Sequence, residues 1–160
     1  MFFDDPPAAF ANIRRALVPG ARVAMSAFTG LAENPWAAVP LRAAERALGP
    51  APAMERGSPG PFAWAEPEVF ETALKGAGFR SIAWEAQTVG FTLGAGDHPD
   101  PVERACDIVL SIGMVARRVM TEGGDASERV RPLLREELSP HVRDGWVRLG
   151  AKIWLVTATA

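Results

Sequence analysis

The 160-residue chain is long enough for one domain with a substantial core, and its 48% hydrophobic content is ordinary for a globular protein. Its net charge is −2 and its basic residues are scattered, which argues against a nucleic-acid-binding surface. The single cysteine, Cys106, excludes an intrachain disulfide and a thiolate metal cluster, and it fits a reducing, cytoplasmic setting.

Membrane association is not predicted either. Asp4 and Asp5 stand where a signal peptide would be basic and then apolar. No apolar run approaches the roughly 20 residues that a membrane helix needs. We therefore expect a soluble, cytoplasmic protein with neither a membrane nor a nucleic acid as partner.

A short helix and a buried strand are the first predicted elements. Asp5 can cap a helix whose first residue is Pro6, where the missing N–H costs nothing. Apolar residues at helical spacing follow, and Pro19-Gly20 ends the helix. The run Arg22–Phe28 is short and mostly apolar, which is typical of a strand covered on both faces.

The middle of the chain is less regular. Residues 29–64 are rich in Pro, Gly and Ala and contain one predicted helix, Pro35–Leu48. The next helix has Pro67 in its first turn and Gly78 at the position just past its end. Ser81–Leu93 then alternates apolar and polar residues and predicts a half-exposed strand.

Helical spacing returns in the last third of the chain. Pro99–Thr121 predicts one helix with a broad apolar face, and Asp125 with Glu128 resembles a capping box that opens another. Val147–Thr159 alternates again and predicts a long closing strand. The alternation of strands and helices predicts an α/β fold in a single domain. Within this domain, residues 1–28 hold the first helix and strand, 29–64 an insert, 65–93 a helix and a strand, 97–143 a helical insert and 146–160 the closing strand.

Several short motifs resemble one known family. The N-terminal run MFFDDPPAAFANIRRALVPGARVAMSAF resembles the second half of class I S-adenosylmethionine-dependent methyltransferases. The small-molecule branch, which includes enzymes of ubiquinone and menaquinone biosynthesis, comes nearest. Family members have a fourth strand, a helix ending in L-x-P-G-G and a fifth strand, and here the turn reads Leu17–Ala21 with Ala21 in place of the second glycine. Ala77-Gly78-Phe79 and Trp154–Ala158 resemble the turn before the sixth strand and the antiparallel seventh strand.

The resemblance, which covers nearly the whole chain, implies a partial Rossmann-like methyltransferase fold. Arg22–Phe28, Ser81–Leu93 and Val147–Thr159 would be strands five, six and seven, the last antiparallel, and residues 29–64 a helical cap insert. The N-terminal cofactor-binding half would be absent, with Met1–Phe3 as the end of strand four. A natural truncation, a start assigned too late and a deliberately shortened chain all stay open.

The family's strand order, 3-2-1-4-5-7-6, predicts that copies of this chain associate with each other. Strand five would lie at a sheet edge in a chain that begins after strand four. Its run Val23–Phe28 carries no Lys or Pro to protect an edge. We therefore expect the chain to form a homodimer or aggregates through this edge.

The resemblance implies S-adenosylmethionine as cofactor and methyl transfer to a small apolar molecule. The family's Gly-rich loop and its acidic ribose-binding residue are not in this sequence, so we expect the chain to be inactive alone. A non-catalytic remnant that binds an apolar ligand or a partner chain stays open. Phe2 and Phe3 match the family segment near the cofactor's methyl and adenosine groups, although a plain core role is the alternative.

A substrate pocket is predicted from apolar side chains, because pockets are mostly lined by such residues. The candidates are Phe28, Trp36, Phe62, Trp64 and Met114. Trp36, Phe62 and Trp64 lie in or beside the cap insert, where a small local core is an equal alternative, and Met114 could equally fill the core of its helix. The sequence identifies no catalytic residue and predicts no metal site. Methyl transfer from a sulfonium mainly needs alignment and exclusion of water.

Overall fold

A computed structural model describes residues 2–53, 58–94 and 97–160. These parts form a mixed α/β structure with six α-helices and a four-stranded antiparallel sheet. In chain order the elements are α1 Pro6–Ala16, β1 Arg22–Phe28, α2 Pro35–Leu48, α3 Pro67–Gly76, β2 Arg80–Leu93, α4 Pro101–Ser111, α5 Met114–Glu122, α6 Ala126–Leu138, β3 Val142–Arg143 and β4 Trp146–Thr159. Single 3₁₀ turns occupy Leu31–Glu33 and Ser139–His141.

The last strand lies in the middle of the sheet, whose order is β1-β4-β2. β1 runs antiparallel to β4, with Arg22 opposite Thr159 and Phe28 opposite Ile153. The short β3, which the sequence did not predict, pairs with the start of β4 in a hairpin. Asp144 and Gly145 connect the two strands at positive φ, 50° and 75°, as a two-residue hairpin turn requires.

The chain divides into two compact units, each with its own hydrophobic core. The first unit combines Met1–Glu33, Met54–Val89 and Lys152–Ala160, and the second combines Asn34–Ala53 and Gly90–Ala151. The largest fully buried side chains of the first core are Phe10, Phe70, Leu74 and Val156. Those of the second are Leu134, Leu138, Val130 and Val147, together with Cys106.

The helix ends of the first unit follow the local sequence signals. The Asp5 carboxylate accepts a hydrogen bond of 2.9 Å from the Ala8 N–H and caps α1 with Pro6 at its first position, as predicted. Just past the carboxyl end of α3, Gly78 has a φ of +87°. The Phe79 N–H donates to the Leu74 carbonyl at 3.1 Å, and the buried Phe79 ring packs into the core.

Helix ends in the second unit depend more on tertiary contacts. The Arg118 Nη2 donates to three consecutive carbonyls at the carboxyl end of α2 and just past it, those of Leu48, Gly49 and Pro50, at 3.1, 2.7 and 3.1 Å. These carbonyls have no partner inside the helix, so a cation there satisfies them. α2 and α6 are also joined by an ion pair of 2.7 Å between Arg42 and Glu137.

Two helix predictions are wrong. The predicted single helix Pro99–Thr121 is two helices, because Gly113 takes a φ of +91° that a continuing helix cannot contain. Asp125 stands before α6 but makes no side-chain cap hydrogen bond. Its φ and ψ, −89° and 11°, are not the extended values of a capping residue, and its carboxylate instead lies 3.7 Å from Arg129.

β2 is more exposed than the half-exposed strand that its alternation predicted. Every residue from Ala83 to Gly90 is exposed, on both faces. On this strand Ile82 packs against the first core and the Trp84 ring contacts Phe70 with centroids 5.7 Å apart, while Phe91 and Leu93 pack in the second core. Alternation in sequence produces alternation in burial only where a packed layer covers one face.

Candidate functional site

The carboxyl end of β1 carries the group of polar and aromatic side chains that best resembles a binding site in the first unit. Here Phe28 ends the strand and Thr29 follows it, fully buried. The Thr29 N–H donates to the Lys152 carbonyl at 3.0 Å, and the Thr29 hydroxyl oxygen lies 3.2 Å from the same carbonyl, so the chain leaves the strand in a fixed direction.

A charged pair lies beside this strand end. The Lys152 ammonium donates a hydrogen bond to the Glu33 carboxylate, and the two side chains are 37% and 45% exposed. The hydrogen bond from Lys152, and after it one from Thr29, holds the pKa of Glu33 below its ordinary value. Glu33 is therefore ionised at neutral pH and can accept a hydrogen bond, but it is not a proton donor there.

An aromatic pair completes this strand end. The rings of Phe28 and Phe62 have centroids 6.1 Å apart and are tilted by 53°. Both side chains are half-buried, so each keeps surface that a ligand could contact. The structure thus brings together two of the five predicted pocket residues, and Thr29, Glu33 and Lys152 form a polar group just past the Phe28 end of β1.

Trp64 lies in a second aromatic cluster of the same unit, together with Phe10 and one of the predicted cofactor residues. Its ring centroid is 5.2 Å from that of Phe10 and 6.4 Å from that of Phe3. Trp64 is only 7% exposed and belongs to the core of this unit. Phe3 is 43% exposed and Phe2 is 69% exposed, so these two offer apolar surface ahead of α1.

Trp36 and Met114 both belong to the second unit. Trp36 stacks on Phe91, with ring centroids 4.7 Å apart and an interplanar angle of 22°. Its Nε1–H donates to the Oδ1 of Asn34 at 3.1 Å, and Asn34 is fully buried, so the indole has a defined position. Met114 is half-buried at the first position of α5.

The second unit also has an open groove of about 310 Å³ lined by Arg42, Glu45, Arg46 and Pro50. None of the predicted pocket residues lines it, and its two arginines are engaged by Glu136 and Glu137. A groove lined by paired charges suits a solvated surface better than an apolar substrate.

Within the described residues, no group of three or more His, Cys, Asp or Glu side chains is placed to hold a metal ion. In the same described parts, no helix is both long and apolar enough to span a membrane.

Sequence reasoning missed Glu33, Lys152 and Phe91. Glu33 and Lys152 are 119 positions apart, and only the antiparallel pairing of β1 with β4 makes them neighbours. Phe91 had a usable signal, because it shares the buried face of β2 with Leu93 two residues on. Its stacking on Trp36 depends on tertiary placement alone.

No protein-family model matches the chain, and no curated protein matches it.

Proposed function

We propose that this chain is the C-terminal part of a class I S-adenosylmethionine-dependent methyltransferase that acts on a small apolar molecule. The strand order β1-β4-β2 carries the proposal. A last strand that enters the middle of a sheet, antiparallel to its neighbours, is the 5-7-6 arrangement that the family resemblance implies. The turns Leu17–Ala21 and Ala77–Phe79, which prompted that resemblance, directly precede β1 and β2.

The surface ahead of α1 fits one end of the cofactor. Phe2 and Phe3 are large apolar side chains that are 69% and 43% exposed. The Phe3 ring makes a T-shaped contact with the Phe10 ring, with centroids 6.2 Å apart. Exposed aromatic faces of this kind suit a flat adenine ring or a methyl group. Bound S-adenosylmethionine would supply the methyl group on a sulfonium, which is already an activated leaving group.

The carboxyl end of β1 supports substrate binding. Phe28 and Phe62 would contact the apolar body of the substrate and exclude water from it. The ionised Glu33 would accept a hydrogen bond from a hydroxyl or amine of the substrate and so orient it. Orientation and exclusion of water are what an in-line displacement needs most, so no strongly perturbed acid or base is required.

A second candidate function is binding of an apolar ligand without chemistry. The half-buried pair Phe28–Phe62 and the stacked pair Trp36–Phe91 favour it, because aromatic surface binds flat ligands whether or not a cofactor is present. It differs from the first proposal in one respect: it does not require the chain to bind S-adenosylmethionine.

Calorimetric titration of the 160-residue chain with S-adenosylmethionine and S-adenosylhomocysteine tests the first proposal. Saturable binding that weakens in Phe3→Ala but not in Phe62→Ala supports it, since only Phe3 is assigned to the cofactor. Absence of heat from a folded sample counts against a cofactor site on this chain.

The second candidate has its own readout in the same samples. A fluorescent apolar probe that binds Phe62→Ala more weakly than Phe62→Leu would favour a ligand-binding protein if the same chain shows no binding of S-adenosylmethionine. Equal binding to both variants would count against a site at the Phe28–Phe62 pair.

A further inference from the structure

The side chain of Trp154, on β4, is hydrogen-bonded to the turn that carries Phe62. The chain turns at residues 61–64, and the Ala65 N–H donates to the Phe62 carbonyl at 3.1 Å. The Trp154 Nε1–H donates to the Ala65 carbonyl at 2.8 Å. Ala65 therefore links Phe62 to β4 through two successive hydrogen bonds.

The same stretch of β4 also supports Phe28, the ring partner of Phe62. In the β1–β4 register, Phe28 lies opposite Ile153, and Trp154 is the next residue of β4. Adjacent residues of β4 therefore support the two sides of the Phe28–Phe62 pair, one through strand pairing and the other through an indole N–H. The two ring centroids are 6.1 Å apart, and this separation depends on both supports.

Burial and hydrogen bonding make different contributions to the turn. Ala63 and Trp64 are buried in the first core and keep the turn against it. Burial of apolar surface has no directional preference, whereas a hydrogen bond constrains the direction of its donor and acceptor. The hydrogen bond from Trp154 therefore sets the direction in which the turn presents Phe62.

A tryptophan suits this position because its ring is apolar and its N–H is polar. The Trp154 ring is half-buried and packs against the first core. Its hydrogen bond to the Ala65 carbonyl is partly buried, and a buried carbonyl that loses its donor is costly to leave without a partner. The turn is therefore held more firmly with this N–H than without it.

We infer that Trp154 is a positioning residue for the candidate site, because its indole N–H orients the turn that presents Phe62 beside Phe28. It acts through Ala65, and the contacts with the ligand come from the two phenylalanines. The inference rests on the ligand contact that both proposed functions assign to the Phe28–Phe62 pair. It does not require the chain to bind S-adenosylmethionine.

Two changes at position 154 remove the N–H and keep a ring. Trp154→Phe is the simpler one. Replacing the indole of Trp154 by benzothiophene, in which sulfur takes the place of the N–H, also keeps the shape of the ring and serves if Trp154→Phe does not fold. Trp84→Phe is the matched control, because the Trp84 ring lies on β2 and packs edge-on against Phe70 with centroids 5.7 Å apart.

Amide hydrogen exchange followed by NMR measures the hold on the turn. In both Trp154 variants the Ala65 N–H should exchange about fivefold faster, relative to the amides of α3 in the same unit. A loss of overall stability would speed exchange in α3 and in the turn alike. Trp84→Phe should therefore leave this ratio unchanged.

Binding of a neutral fluorescent probe, N-phenylnaphthylamine, measures the consequence for the site. Both Trp154 variants should bind the probe about fivefold more weakly than the unmodified chain, and Trp84→Phe should bind it equally well. Phe62→Ala and Phe62→Leu, measured alongside, report whether the probe uses the Phe28–Phe62 pair.

The inference is overturned if the Ala65 amide exchanges no faster, relative to α3, in either Trp154 variant. It is also overturned if Trp84→Phe weakens probe binding as much as Trp154→Phe does. If Phe62→Ala binds more weakly than Phe62→Leu while both Trp154 variants bind normally, the inference fails and the ligand site stands. If Phe62→Ala and Phe62→Leu bind equally, the site fails and the inference fails with it.

Discussion

Replacing Trp64 by alanine tests whether this residue holds a core together or lines a site. The Trp64 indole is 7% exposed, and its ring centroid lies 5.2 Å from that of Phe10 and 6.4 Å from that of Phe3. Phe62, two residues earlier, is only half-buried and has Phe28 as its ring partner at 6.1 Å. The two aromatics therefore form a natural comparison.

The expected losses in the free energy of unfolding differ several-fold. Truncating a buried tryptophan to alanine costs about 3–5 kcal/mol, from lost transfer energy and the cavity left behind. Removing the half-buried Phe62 ring should cost about 1 kcal/mol, since roughly half of a phenylalanine's burial energy is at stake. Trp64→Phe keeps a ring in place and should lose less than Trp64→Ala.

Urea unfolding followed by far-ultraviolet circular dichroism measures these differences. With a denaturant slope of about 2 kcal/mol/M, Trp64→Ala should lower the midpoint by about 2 M and Phe62→Ala by about 0.5 M. A Trp64→Ala chain that loses less than about 1 kcal/mol would show that this ring is not a core element. The pocket interpretation of Trp64 would then be the stronger one.

Three further predictions follow from local geometry and from burial. Asp5→Ala should cost about 1 kcal/mol of stability, whereas Asp5→Asn, which keeps an acceptor for the Ala8 N–H, should cost less; equal losses in thermal unfolding would contradict the cap. Gly78→Ala should lower the free energy of unfolding by about 1–2 kcal/mol, and Gly78→Asn should lower it less. Gly78 has a φ of +87° and no atom lies within 4 Å of an added Cβ, so the loss comes from backbone strain and not from a clash. Urea midpoints that stay unchanged in both variants would contradict this prediction. Burial raises the pKa of the Cys106 thiol to about 11. The thiol of the unfolded chain therefore ionises at lower pH than that of the folded chain, and the free energy of unfolding falls as pH rises from about 9 to about 11. The same pH dependence in Cys106→Ala would contradict the prediction.

Element boundaries marked by proline and glycine could be predicted from the sequence. β1 and α2 have the bounds that the sequence indicated, and Gly78 ends α3 as expected. These signals act within one or two residues, through the fixed φ of proline and the positive φ that glycine tolerates. Gly113 is the same kind of signal, but it lies inside an apolar pattern of helical spacing that by itself predicts one continuous helix.

The candidate site could be predicted only in part, because its contacts join distant segments. Aromatic residues were recognisable as candidates, but pairing Phe28 with Phe62 and Trp36 with Phe91 required the fold. The same holds for Glu33 and Lys152, whose ion pair follows from the β1–β4 register. No local pattern records which strand will be inserted between two others.

Taken by itself, the sequence determined the positions of most helices and strands, the alternation of the two that makes an α/β fold, and the apolar character of β1. Those properties depend on backbone preferences and on side-chain periodicity, which act over a few residues. The family resemblance implied that the last strand lies between β1 and β2, but only the tertiary structure decided that two cores form, and that Glu33 and Lys152 are neighbours. Those outcomes depend on hydrogen bonds and packing between segments that are far apart in the chain, which no local window of sequence contains.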